Sequence, residues 1–361
     1  MGEIGFVHKI KVFFIKGVQI SSFIWNKKIK IPTENLSSTY FQLNGDSTFS
    51  GFLRLPKGTA NMFSKGLNVN SRYSAGLKLC FKTNATRVTF RVLFRKRAIL
   101  NHMSLKAISG IDVYVKYDKE LIWLECFSSE SSYSMIAKSV INLFEGEKVI
   151  EIFLPPFAQV ESFEVGIDNN FSFEQIYSSN EKVVLIYGSS ITQGCAASRP
   201  SLSYTNLISR KTEMKVINMG FSESAKGEER IINYLSEIQP TVFVMEYDHN
   251  ATLKELDKTH KKAYTIFRNS NPNCLIIMLT RLSGGLSIDS DEEEERIKII
   301  RKTYECAINN NDNNIEIIYG NKLINCNKED FFVDDRHPND RGMFEIANAI
   351  CLVLKKRGLY K

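Results

Sequence analysis

The sequence predicts a two-domain chain: an antiparallel β-sandwich or jelly roll, then a three-layer α/β/α domain of flavodoxin type on a parallel sheet. Three observations carry this. Up to about residue 165 the chain consists of short runs separated by glycines and polar turns, several alternating apolar and polar. From residue 182 the apolar runs become nearly continuous, as in strands buried on both faces. Helix-like segments separate those later runs.

In the first half the expected strands are "STFSGFLRL" (47–55), "GLKLCFKT" (76–83), "TRVTFRVLF" (86–94) and "GIDVYVKYD" (110–118). "KELIWLECF" (119–127), "KVIEIFLP" (148–155) and "VESFEVGI" (160–167) complete the set. Pro155 and Pro156, then "DNNFSFEQIYSSNE", punctuate the end of this half. In the second half "KVVLIY", "MKVINM", "TVFVMEY", "CLIIMLT" and "NIEIIY" read as five parallel strands. Helices are expected at 203–211, 227–238, 252–269, 291–310 and 339–358. The fourth opens with five acidic residues, which suits the positive end of a helix dipole. The boundaries so drawn are an N-terminal extension of uncertain structure (1–27), a sandwich domain (28–170) and an α/β domain (181–361).

Composition bounds the function. The 361 residues are 43% hydrophobic and 24% charged, which is globular. The net charge of +7 is spread out, with no Arg/Lys stripe or RNA-type aromatic motif, so a nucleic-acid partner is not expected. The seven cysteines form no CxxC, which argues against zinc ribbons and disulfide scaffolds. Lysines break up the apolar N-terminus, and no run approaches the roughly 18 residues of a membrane span. The protein is read as cytoplasmic, or as exported with its leader removed; oligomeric state is left open.

In open parallel sheets, chemistry gathers at the carboxyl ends of the strands. The first strand is followed by Gly188, Ser189 and Ser190, the second by Asn218, Gly220, Ser222 and Glu223, and the third by Asp248, His249 and Asn250. Asp334 and His337 precede the last helix. A serine hydroxyl needs a base, and the base an orienting carboxylate. Ser190, His337 and Asp334 fit those roles as catalytic residues. The Ser190 N–H, a backbone N–H in the Gly220–Glu223 loop and the Asn250 amide are the candidate oxyanion donors. Gly188, Ser189 and Gly220 are read as supporting the loops, and Arg199, Asp248 and His249 as a candidate pocket rim. Cys195 is read as pocket lining or core, His260 as structural, and His102 is given no role. No metal or cofactor is assigned: Asp248 and His249 lack a third ligand at suitable spacing.

These blocks resemble the SGNH hydrolases of the GDSL esterase superfamily. The closer resemblance is to the bacterial branch with an N-terminal sandwich and a Gly-x-Asp-Leu-Tyr signature, here Gly110-Ile111-Asp112-Val113-Tyr114. The resemblance implies Ser190 as nucleophile, Asn250 as the third-block asparagine, and Asp334 and His337 as the final Asp-x-x-His. The chain departs from the family at Glu223, where the oxyanion-hole glycine stands. The resemblance implies removal of acetyl groups from poly- or oligosaccharides. A glycan-binding protein without turnover, or a lipid or thioester hydrolase, are the alternatives.

Overall fold

The computed structural model describes residues 28–30, 52–56, 58–59, 62–117, 120–167, 170–176, 182–282, 290–324 and 327–361. The N-terminal extension and most of the strand expected at 47–55 lie outside these residues. Residues 52–56 themselves form no strand, which corrects the expectation there. Their apolar side chains are buried by packing instead: Phe52 and Leu55 are each 2% exposed.

The first half is two antiparallel sheets. One has the order β1-β8-β3-β6, with β1 at Lys28–Lys30, β3 at Arg87–Arg97, β6 at Ile136–Asn142 and β8 at Ala158–Gly166. The other has the order β5-β4-β7-β2-β9, with β2 at Lys78–Thr83, β4 at Ile111–Tyr117, β5 at Glu120–Phe127, β7 at Lys148–Phe153 and β9 at Phe173–Gln175. Strict alternation along β3 turns Val88, Phe90, Val92 and Phe94 inward. Facing them are Phe81, Val113, Ile150 and Ile152 of the second sheet. Phe90 bridges the layers, stacking on Phe127 with centroids 5.8 Å apart. Among the described residues of this half, two short helices interrupt the sheets, α1 at Lys65–Asn70 and α2 at Leu105–Ser109.

The second half carries a five-stranded, fully parallel sheet of order β11-β10-β12-β13-β14. The strands are β10 (Val183–Gly188), β11 (Lys215–Gly220), β12 (Val242–Glu246), β13 (Leu275–Leu279) and β14 (Ile315–Ile318). The helices are α3 (Ser190–Gln193), α4 (Tyr204–Thr212), α5 (Glu229–Ser236), α6 (Leu253–Ser270), α7 (Ser290–Asn309) and α8 (Asp340–Lys356). Alternate strand residues serve opposite layers. Val184, Ile186, Val216, Val244 and Ile277 pack on Tyr204 and Ile208 of α4 and on Met343, Ile346 and Ile350 of α8. Leu185, Tyr187, Ile217, Phe243 and Met278 pack on α5, α6 and α7 through Leu235, Phe267 and Ile300, in a cluster continuous with the sandwich core. Such two-sided burial explains the unbroken apolar runs. The strand order reverses at β10, which places the β10 and β12 termini at the switch point where open α/β sheets form their crevice.

The halves are tied by buried polar contacts. Arg54, fully buried, donates to the carbonyls of Asn70, Tyr73, Asn218 and Gly220 at 2.6, 2.9, 3.2 and 2.5 Å. Burial lowers its pKa to about 9. Gln193 donates to the Pro156 carbonyl at 3.0 Å. The signature strand grips the loop beyond α3. Asp112 accepts from Arg199 at 2.9 Å through Oδ1 and from the Ser201 N–H at 2.8 Å through Oδ2, and the Tyr114 and Ser201 hydroxyls lie 2.9 Å apart.

Candidate active site

The strand β10 ends at Gly188 because a side chain there has no room: an added Cβ would lie 2.0 Å from Thr192 Oγ1 and 2.6 Å from Glu246 Oε2. Gly220, its β11 partner, is equally constrained, 2.2 Å from the Gln193 nitrogen. Two adjacent strand ends without side chains let α3 start directly above the sheet.

Ser189 is the N-cap of α3. Its hydroxyl accepts from the Ile191 N–H at 3.1 Å and donates to the Glu246 carboxyl at 2.9 Å. Glu246, at the end of β12, also accepts from the Ser189 N–H at 3.1 Å and from Thr192 Oγ1 at 2.5 Å. Burial pushes its pKa up to about 7 against the pull of these donors.

Ser190, the first residue of α3, has an N–H with no intrahelical acceptor. Its hydroxyl lies 3.1 Å from His337 Nε2. His337 Nδ1 lies 2.8 Å from Asp334 Oδ2. A carboxylate only accepts, so Nδ1 carries the proton and Nε2 presents a lone pair to the serine. Asp334 Oδ1 also accepts the backbone N–H groups of His337 at 2.6 Å and Arg336 at 2.9 Å. Partial burial works to raise the Asp334 pKa, but the His337 ring and these two amides outweigh it and hold the carboxyl below its usual value.

The second loop is folded onto the first. The Phe221 N–H donates to the Gly188 carbonyl at 2.8 Å, and Asn218 donates to the Thr192 carbonyl at 2.7 Å. The Ser222 N–H donates to Gln193 Oε1 at 2.9 Å. Glu223 has φ +57°, the left-handed conformation that glycine adopts freely, and its side chain is exposed. The backbone therefore keeps the shape of a glycine turn although the residue is glutamate. Asn250 donates one amide proton to the Phe221 carbonyl at 2.9 Å, which ties the third loop to the second; the amide carries a second proton.

The rim readings fare differently. Asp248 is an interior residue, 1% exposed, and its Oδ2 accepts the Arg281 N–H at 3.0 Å. This corrects its placement at a rim: the side chain turns inward, toward the half-buried Arg281. Arg199 also turns away, to Asp112 and over the Trp123 ring at 4.8 Å, so its role is to join the halves. His249 is half-buried and, with Asn250, Arg281, Asp335 and Arg336, lines a cleft of about 450 Å³. Desolvation first, then the Arg281 and Arg336 cations, hold its pKa well below the usual histidine value. His260 is buried and hydrogen-bonds Thr303 at 3.0 Å.

Sequence reasoning passed over His102. This exposed side chain from the loop before α2 stacks on the His337 ring, with centroids 5.1 Å apart and planes within 9°. Its Nε2 lies 3.1 Å from Cys195 Sγ. Cys195 is buried, which pushes its thiol up to about 12. Nothing near His102 in the sequence signals this, because its partners lie in the other half of the chain.

Known proteins show the same two-part plan. Residues 181–355 match the GDSL-like lipase/acylhydrolase family, and residues 33–173 match the Gly-x-Asp-Leu-Tyr N-terminal region of SGNH-type esterases. A GDSL-like protein from Bacteroides ovatus superposes with a TM-score of 0.82 at 22% identity, covering 93% of this chain and 99% of that one. A salicylyl-acyltransferase from a tetracycline biosynthetic pathway gives 0.71 at 16% identity, covering 85% and 90%. A family two carbohydrate esterase from Clostridium thermocellum gives 0.56 at 13%, covering 78% and 93%. At such identities the likeness is one of fold. No curated protein matches the sequence. With both halves matched in order, the chain belongs to the SGNH-type esterases of the GDSL-like lipase/acylhydrolase family.

Proposed function

We propose that the protein is a serine esterase that removes small acyl groups, acetyl above all, from carbohydrate hydroxyls. The observation that carries this reading is the hydrogen-bonded line from Ser190 Oγ through His337 to Asp334. His337 Nε2 takes the hydroxyl proton as Ser190 Oγ attacks the ester carbonyl carbon. Asp334 holds the ring and stabilises the imidazolium. The oxyanion of the tetrahedral intermediate is held by the N–H groups of Ser190 and Glu223 and the second Asn250 amide proton. The sugar alcohol leaves with the proton from His337. Water then attacks the acyl-serine by the same relay and releases the acid.

The carbohydrate substrate is supported by the fold shared with a family two carbohydrate esterase in complex with cellohexaose and with an acetyl xylan esterase from Butyrivibrio proteoclasticus. The left-handed turn kept at Glu223 favours turnover over a binding-only role, since the backbone donor survives the loss of glycine. The test is acetate release from acetylated oligosaccharides, with longer acyl esters as comparators. The reading requires hydrolysis by the wild type and loss in Ser190→Ala. Equal rates in the two proteins overturn the nucleophile, and turnover of long acyl chains alone overturns the substrate class.

A further inference from the structure

His102, Cys195 and His337 each offer a ligand atom within 4.8 Å of the other two. They come from three separate places: a loop of the sandwich half, the turn after α3 and the loop before α8. Their donor set is two imidazole nitrogens and one sulfur, with no carboxylate among them. That composition suits borderline-soft divalent cations and not magnesium or calcium. Three protein ligands with a fourth position open is also a common zinc arrangement.

The surroundings fit as well. Asp334 occupies Nδ1 of His337, so Nε2 is the nitrogen left to coordinate. A carboxylate behind a ligating histidine fixes the ring and raises its basicity. The 3.1 Å approach of His102 Nε2 to Cys195 Sγ already draws two of the donors together, and on coordination the exposed His102 ring turns out of its parallel stack on His337 so that both in-plane lone pairs meet at the metal.

We propose that His102, Cys195 and His337 form a transition-metal site of the zinc class that switches the esterase off. Coordination at His337 Nε2 consumes the lone pair that would accept the Ser190 proton, so metal binding and catalysis exclude each other. The Cys195 thiol gives its proton to solvent as the sulfur binds. His102 thereby makes the sandwich half part of an off-switch for the hydrolase half. The inhibitory consequence rests on the esterase reading; the binding does not.

The test begins with full-length protein stripped by a chelator, then titrated with Zn²⁺ against a chromophoric competitor. One equivalent binds the wild type. His102→Ala and Cys195→Ser each weaken it by more than the roughly 10- to 100-fold that loss of a mere supporting contact costs. Co²⁺ gives a sulfur-to-metal charge-transfer band in the near ultraviolet that Cys195→Ser abolishes. His102 is exposed, so its variant folds and carries the test alone if the cysteine variant does not. In parallel, Zn²⁺ suppresses ester hydrolysis at one equivalent, excess chelator restores it, and His102→Ala needs more than about 100-fold higher Zn²⁺, each protein being compared with its own metal-free rate. Absence of stoichiometric binding, or equal affinity in the wild type and both variants, overturns the site. Binding that leaves Ser190-dependent hydrolysis untouched overturns the switch. A protein that binds Zn²⁺ as described but hydrolyses no ester overturns the esterase reading instead.

Discussion

Arg199 Nη1 lies 2.9 Å from Asp112 Oδ1, and this pair joins the signature strand β4 of the sandwich to the loop that follows the proposed nucleophile. The Asp112 side chain is fully buried, while that of Arg199 is 21% exposed. Asp112 also receives the Trp123 indole N–H at 3.0 Å. The aspartate of the signature is thus a structural clasp.

Removing one partner of a buried ion pair strands the other. Asp112→Ala should therefore lower unfolding stability by about 3 kcal/mol, read in urea denaturation. Arg199→Met should cost at least as much, because it strands a fully buried carboxylate, whereas Asp112→Ala strands an arginine that solvent still reaches. An unchanged midpoint in Asp112→Ala would show that the clasp is idle.

The Ser190–His337–Asp334 line makes a kinetic prediction. Ser190→Ala and His337→Ala should each lower kcat by roughly 10⁴-fold or more. The double variant should be no worse than either single one, because the residues act as a unit. Additive losses in steady-state kinetics would separate the two side chains into independent roles.

Glu246 predicts a pH dependence of stability. Its folded pKa of about 7 lies above the ordinary 4.5. Between those values the folded state holds a proton that the unfolded state releases. The associated stability is full below pH 4.5 and is lost as pH rises through 7. The difference is about 3 kcal/mol, from 1.4 kcal/mol per unit. Glu246→Gln mimics the protonated form and should flatten melting temperature against pH over that window. A slope identical to the wild type would exclude Glu246 as its source.

Glu223→Gly tests the strained turn. A glutamate at φ +57° costs on the order of 1 kcal/mol that glycine does not. Glycine returns part of this through its freer unfolded chain. The variant should keep kcat/KM within about 10-fold of the wild type and change stability by no more than about 1 kcal/mol. A dead wild type revived by glycine would instead support the binding-only reading.

Much of this architecture was legible because burial leaves a pattern. The runs that became β10 to β14 are apolar on consecutive residues because helices cover both faces of the sheet. Ser190, Asn250, Asp334 and His337 were legible as candidates because they fall in order at strand ends. β6 was not foreseen: in Ile136–Asn142 only Ala137 and Ile141 are buried, and between them on the same face stands the polar Ser139, hydrogen-bonded to Glu125, so the run lacks a clean apolar alternation. Arg54 was hidden inside an apparent strand, since an arginine amid apolar residues does not announce four carbonyl partners. Asp248 looked like a rim residue because its turn lies at the sheet edge, yet a turn does not say which way its side chain points. His102 escaped notice because its contacts cross 93 residues of chain.

Arg54 has a consequence for how such chains can be cut and rejoined. Its guanidinium supplies the donors for the carbonyl ends of β11, including the glycine that shapes the second loop. The α/β half expressed alone from residue 182 would leave those oxygens to water and loosen the turn that holds Glu223. Grafting that half onto a foreign module would therefore need a replacement cation at the same depth, which makes the two halves a single inheritable unit.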